Sequence, residues 1–157
     1  MNSGRRKVLK GTSGAAVLGL AMAAGLFKPG SAWAQQGWNK AAFETKSLND
    51  AVKAMGGSSA TESKDILINS PDIAENGAVV PVTISSKLPK TEQLALLVEK
   101  NPNVLAASFS IPQGTEASVN TRVKMGQTSN VIALVKADGK FYYTTKEVKV
   151  TLGGCGG

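Results

Sequence analysis

The chain has 157 residues, with 18 Lys and Arg against 11 Asp and Glu, no histidine and a single cysteine. This length suits one domain, the missing histidines exclude Ser-His-Asp and Cys-His catalysis in their usual form and remove the commonest metal ligand, and one cysteine cannot close an internal disulfide. Five of the 18 cations and none of the acids fall in residues 1–34, so 13 face 11 in the remainder; with no basic stripe and few aromatics, nothing points to nucleic acid.

Residues 1–34 read as an export signal. Arg5, Arg6, Lys7 and Lys10 precede an apolar, small-residue stretch from Thr12 to Phe27, and Ala32-Trp33-Ala34 supplies an Ala-x-Ala cleavage site. Gly4-Arg5-Arg6-Lys7-Val8-Leu9-Lys10 resembles the twin-arginine (Tat) pattern, with Gly4 in place of serine and Val8 in place of phenylalanine. The stretch is short and rich in Gly and Ala, so no stable membrane anchor is expected. The expected destination is the periplasm. Tat exports folded proteins, so travel with a partner is expected.

Residues 35–64 form an N-terminal segment with a helix. Phe43, Leu48, Val52 and Met55 recur at helical spacing from Ala41 to Met55, and Gly56-Gly57 ends the run. The helix is expected to lean on an end or edge of the main domain, with Ser58–Lys64 as a polar connector. Residues 65–152 change to strand texture. Strands are expected at Ile66–Ile68, Ala78–Ser85, Thr91–Glu99, Val104–Ile111, Ser118–Met125 and Ser129–Lys136. Asp138-Gly139 then turns into Lys140–Thr145, and Val148, Val150 and Leu152 share a face beyond it. Asn76-Gly77 reads as a turn with positive φ, and Pro81 places its strand near an edge or at a bulge. About seven short strands with closely spaced turns fit a mainly β, immunoglobulin-like antiparallel β-sandwich.

The last five residues, Gly153-Gly154-Cys155-Gly156-Gly157, hold the only thiol between two pairs of glycines. Glycine lacks Cβ and ranges over backbone conformations closed to other residues, so residues 153–157 are expected to form a flexible arm that presents Cys155 on a narrow tip. A structural cysteine would sit within an apolar alternation instead. An unperturbed thiol has a pKa near 8.5, which leaves roughly 3% thiolate at pH 7. No cation adjoins Cys155 in sequence, so activation is left to a partner. The reading is a covalent carrier, not an enzyme: catalytic residues none, metal none, cofactors none beyond what Cys155 bears. Asp72, Glu75 and Glu116 read as solvated turn residues, and Arg122 and Lys124 as a solvent face.

At the tail the sequence resembles the SoxY family, the sulfur-carrier subunits of the periplasmic thiosulfate-oxidising (Sox) system. The resemblance rests on Val148-Lys149-Val150-Thr151-Leu152 followed by Gly-Gly-Cys-Gly-Gly. It is supported by Pro71-Asp72-Ile73-Ala74-Glu75-Asn76-Gly77-Ala78-Val79-Val80-Pro81-Val82 and by Glu99-Lys100-Asn101-Pro102. It implies a heterodimer with SoxZ. It further implies loading of Cys155 with thiosulfate by the cytochrome complex SoxXA, hydrolysis by SoxB and, where present, oxidation by SoxCD. Two other readings stand beside it. One is an exported interaction module whose cysteine forms an inter-chain disulfide; the other is a thiol-transfer enzyme acting alone.

Overall fold

The computed structural model describes residues 39–151. Two short helices precede nine strands: α1 (Lys40–Phe43), α2 (Leu48–Ala54), β1 (Ala60–Glu62), β2 (Ile66–Asn69), β3 (Ile73–Ala74), β4 (Val80–Ser86), β5 (Thr91–Val98), β6 (Leu105–Ser110), β7 (Ser118–Val123), β8 (Ser129–Ala137) and β9 (Lys140–Val150). No described helix is long and apolar enough to cross a membrane.

The strands form two sheets. One runs β1-β9-β8-β5-β6, with β3 also on β9, and the other runs β2-β4-β7. The long ladders are antiparallel, whereas β1 and β3 pair with β9 in parallel. Between the sheets lie Val80, Val82 and Ile84 of β4, Leu94, Leu96 and Val98 of β5, Val131, Ala133 and Val135 of β8, and Val148 of β9, all within one buried cluster. Fully burying a Val, Leu or Ile contributes about 1.5–3 kcal/mol, so this cluster is the main source of stability. The result is the expected immunoglobulin-like sandwich.

The helices sit elsewhere than at an end or edge. Ala42, Ala51 and Val52 join Ala95, Leu97, Ile132, Leu134 and Phe141 in a second cluster, on the outer face of the larger sheet. This explains why Leu94–Val98 and Val131–Val135 are buried without interruption. Alternate side chains in β5 and β8 serve two different cores, and such doubly covered strands lose the polar half of their alternation.

The single helix expected over Ala41–Met55 is two. Ser47 is extended, and its hydroxyl accepts from the Asp50 N–H at 3.1 Å, which caps α2 as a separate helix. The carbonyl of Thr45, between the helices, accepts from the Val104 N–H at 3.0 Å, tying the break to the start of β6. Gly56 has φ +89° and ends α2 as expected.

Among the described residues, nine strands stand where about seven were expected. The connector Ser58–Lys64 contains β1, and β3 lies within the expected stop after β2. Neither is long enough to show an alternation of its own; both are specified by the free edge of β9. The two apolar stretches at Lys140–Thr145 and Val148–Leu152 belong to the one continuous strand β9 as far as Val150. Asp138 (φ +48°) and Gly139 (φ +73°) make the expected hairpin turn before it.

Pro81 lies in the middle strand of its sheet, not on an edge strand. However, β2 ends at Asn69, opposite Thr83, so no β2 residue stands across from Pro81. The missing N–H therefore costs no ladder bond with β2.

Candidate functional site

The site is built around the end of β9, because that strand leads toward Cys155. Cys155 itself and Gly153, Gly154, Gly156 and Gly157 lie outside the described residues. What the fold describes is the root from which they continue.

β9 is held on both edges. Along one, it pairs with β8 from Ala137↔Lys140 to Ser129↔Val148. Along the other, β1 pairs at Phe141–Tyr143 and β3 pairs at Lys149 and Val150. The segment from Ser70 to Val80 therefore acts as a strap across the last stretch of β9. The Lys149 N–H donates to the Asp72 carbonyl at 2.9 Å, and the Thr151 N–H donates to the Ala74 carbonyl at 3.2 Å. The Thr151 hydroxyl donates to the Glu75 carbonyl at 3.3 Å. On the β8 side, the Val150 N–H donates to Thr128 Oγ1 at 3.0 Å. Every residue from Val148 to Thr151 is thus paired or hydrogen-bonded, up to the last described position.

A cation fastens the start of the strap. Lys146 Nζ donates to the Ser70 carbonyl at 2.6 Å and lies 3.0 Å from Asp72 Oδ1. Its side chain is about two-thirds covered while that of Asp72 is open to solvent, so the carbonyl contact fixes the geometry and the carboxylate adds a screened attraction.

Gly77 closes the strap. Its carbonyl accepts from the Met125 N–H at 2.7 Å. A Cβ at this position would collide with the Met125 carbonyl oxygen and lie 2.7 Å from Val150 Cγ1. The expected turn is present, closed by the Val79 N–H donating to the Asn76 carbonyl at 3.3 Å, but neither Asn76 nor Gly77 has the expected positive φ. Asn76 Oδ1 also accepts from the Ala78 N–H at 2.9 Å, a local side-chain turn. Glycine is needed at 77 for close approach to the arm root.

Arg122 and Lys124 are exposed on the β7 side, as expected. Asp72 and Glu75 are exposed too, but each also lends its carbonyl to the root, a role that their side chains do not announce. The one signal in the sequence was the Asp72–Gly77 run itself, which resembles the SoxY family but carries no packing pattern. Thr128→Val should leave the Val150 N–H without an acceptor at a cost of about 1 kcal/mol. The expected result is an approximately fivefold faster amide exchange at Val150, with little change at β5.

The geometry defines a class: a β-sandwich whose last strand is fixed on both edges up to Thr151, shortly before a glycine-flanked thiol. Comparisons with known proteins agree. The family model for sulfur oxidation protein SoxY matches residues 51–155, a span that reaches Cys155. Among solved structures, the sulfur carrier protein SoxY from Chlorobium limicola f thiosulfatophilum is 39% identical with a TM-score of 0.62, covering 67% of this chain and 96% of that one. A superoxide reductase (neelaredoxin) from Ignicoccus hospitalis is 19% identical with a TM-score of 0.50, covering 57% of this chain and 82% of that one, and shows the fold alone. No curated protein matches. The chain belongs to the SoxY family of sulfur oxidation proteins.

Proposed function

We propose that this protein is a non-catalytic carrier of sulfur-oxidation intermediates, bound covalently to Cys155. The observation that carries the reading is the family match, which runs through residue 155. The rigid root at Val148–Thr151 supports it, since a carrier needs a firm base from which a thiol can be offered to several enzymes.

In the loading step, the Cys155 thiol and the terminal sulfur of thiosulfate form an S–S bond. One proton is released and two electrons pass to a cytochrome complex of the SoxXA type, leaving a cysteine S-thiosulfonate. Hydrolysis by a SoxB-type enzyme then breaks the S–SO₃ bond with one water, releasing sulfate and leaving a persulfide on Cys155. A SoxCD-type enzyme, where present, oxidises that remaining sulfur. The carrier works as a heterodimer with a SoxZ-type subunit and reaches the periplasm through the Tat pathway, with removal of residues 1–34. Gly153, Gly154, Gly156 and Gly157 keep the tip narrow enough to enter each active site. The carrier itself needs no cofactor or metal.

The test is direct. Trypsin, cutting after Lys149, releases a peptide that begins at Val150 and contains Cys155. In protein from thiosulfate-grown cells, mass spectrometry should find a sulfur adduct on that peptide. Only the unmodified thiol, across several growth conditions, would sink the reading.

A further inference from the structure

Three large apolar side chains are strongly exposed among the described residues: Ile73 at 58%, Val79 at 50% and Leu67 at 47%. Isolated apolar residues at a surface need no explanation. Two of these three, however, lie on the strap that clasps the arm root. Ile73 is in β3, opposite Lys149. Val79 follows Gly77, which packs against Val150, and its N–H donates to the Asn76 carbonyl at 3.3 Å. Leu67 lies on β2, paired with Ser85.

The length of chain beyond the root says what must approach this surface. Cys155 is four residues past Thr151, which sets its Cα at most about 14 Å away even when fully extended. An enzyme that takes the thiol into an enclosed active site must therefore bring the rim of its entrance down onto the surface around Thr151. On one side of the root, that surface is the strap. Lys146 lies 3.0 Å from Asp72, the acidic neighbour of Ile73, and Glu75 and Asn76 are exposed on the same strap, so Ile73 and Val79 are apolar points set in a polar surround.

We propose that Ile73 and Val79 form a docking collar for the enzyme that loads Cys155, and that the matching surface around that enzyme's entrance is apolar. The proposal rests on the carrier reading above. The collar supplies affinity separate from the reacting sulfur, and it is used in every loading cycle.

The experiment uses the full chain in complex with its partner subunit, with thiosulfate and the loading cytochrome complex as probes. Loading is followed on the tryptic peptide that begins at Val150. Ile73→Ser combined with Val79→Ser should raise the carrier concentration that half-saturates loading by about tenfold or more. Alkylation of Cys155 by iodoacetamide, which needs no docking, should be unchanged. Leu67→Ser, equally apolar and exposed but off the strap, should load like the parent. If the double variant melts lower, Ile73→Ser alone carries the test, with an expected rise of about threefold. Normal loading of these variants would overturn the collar. So would loss of the complex with the partner subunit, since the surface would then be a subunit interface. A parent protein that takes up no sulfur refutes the carrier reading instead, so the two failures are distinguishable.

Discussion

Cys155→Ser is expected to abolish sulfur loading completely while leaving the melting temperature and subunit association unchanged. Serine matches cysteine in shape but offers no sulfur for an S–S bond, so no cargo can be held. Among the described residues, the sandwich core runs from Ile66 to Val148 and the helix-side core from Ala42 to Tyr143. Two measurements check it, adduct formation on the peptide beginning at Val150 and a thermal melt. A marked drop in stability would make the cysteine structural, and continued loading would place the cargo elsewhere. Non-reducing electrophoresis of the parent protein separates the carrier from the interaction module. A stoichiometric inter-chain disulfide that persists in working cells would favour the module.

Gly77→Ala should be the most damaging single-methyl change near the arm. The added carbon would need the space of the Met125 carbonyl and of Val150 Cγ1, and Met125 is fully buried. Overpacking of this kind costs about 1–3 kcal/mol, and we expect about 2 kcal/mol here because one of the colliding groups is backbone. The melting temperature should fall by roughly 10 °C. Amide exchange at Lys149 and Thr151 should speed up, as the strap lifts from β9. Gly126→Ala is the control. A Cβ there meets nothing within 4 Å, so its effect should stay within about 0.5 kcal/mol. Equal melting temperatures for the two variants would remove Gly77 from any role in holding the root.

A strand with one wet and one dry face is the most legible in the sequence. Ser118–Val123 alternates, and Val123 is buried where Arg122 is exposed. Leu94–Val98 is harder, since a strand covered on both sides reads much like a buried helix; the Asn-Pro-Asn turn just beyond it points to the strand that is found. The placement of the helices is not legible. Nothing in the Ala41–Met55 pattern says whether its apolar stripe meets a sheet end or a sheet face. β1 and β3 escape because strands of two or three residues carry no period, and their existence depends on an edge that β9 supplies far later in the chain. At the site, the thiol and its glycines are evident from residue type alone. The grip on the root is not: it is made by carbonyls of Ser70, Asp72, Ala74 and Glu75, and backbone groups look the same under any side chain. Asn76-Gly77 does mark a turn, but its glycine is there because the surroundings leave no room for Cβ and not for a positive φ.

The double pairing of β9 also has a mechanical consequence. A partner that holds Cys155 and moves away pulls on Thr151 along the strand axis. The rungs to β8, from Ser129 to Ala137, lie across that direction and resist together in shear. The parallel contacts with β3 and β1 on the other edge share the same load. A strand attached at a hairpin end would open one rung at a time under such tension. This one spreads a pull on Thr151 over the rungs on both edges, so such tension does not peel the strand from the domain.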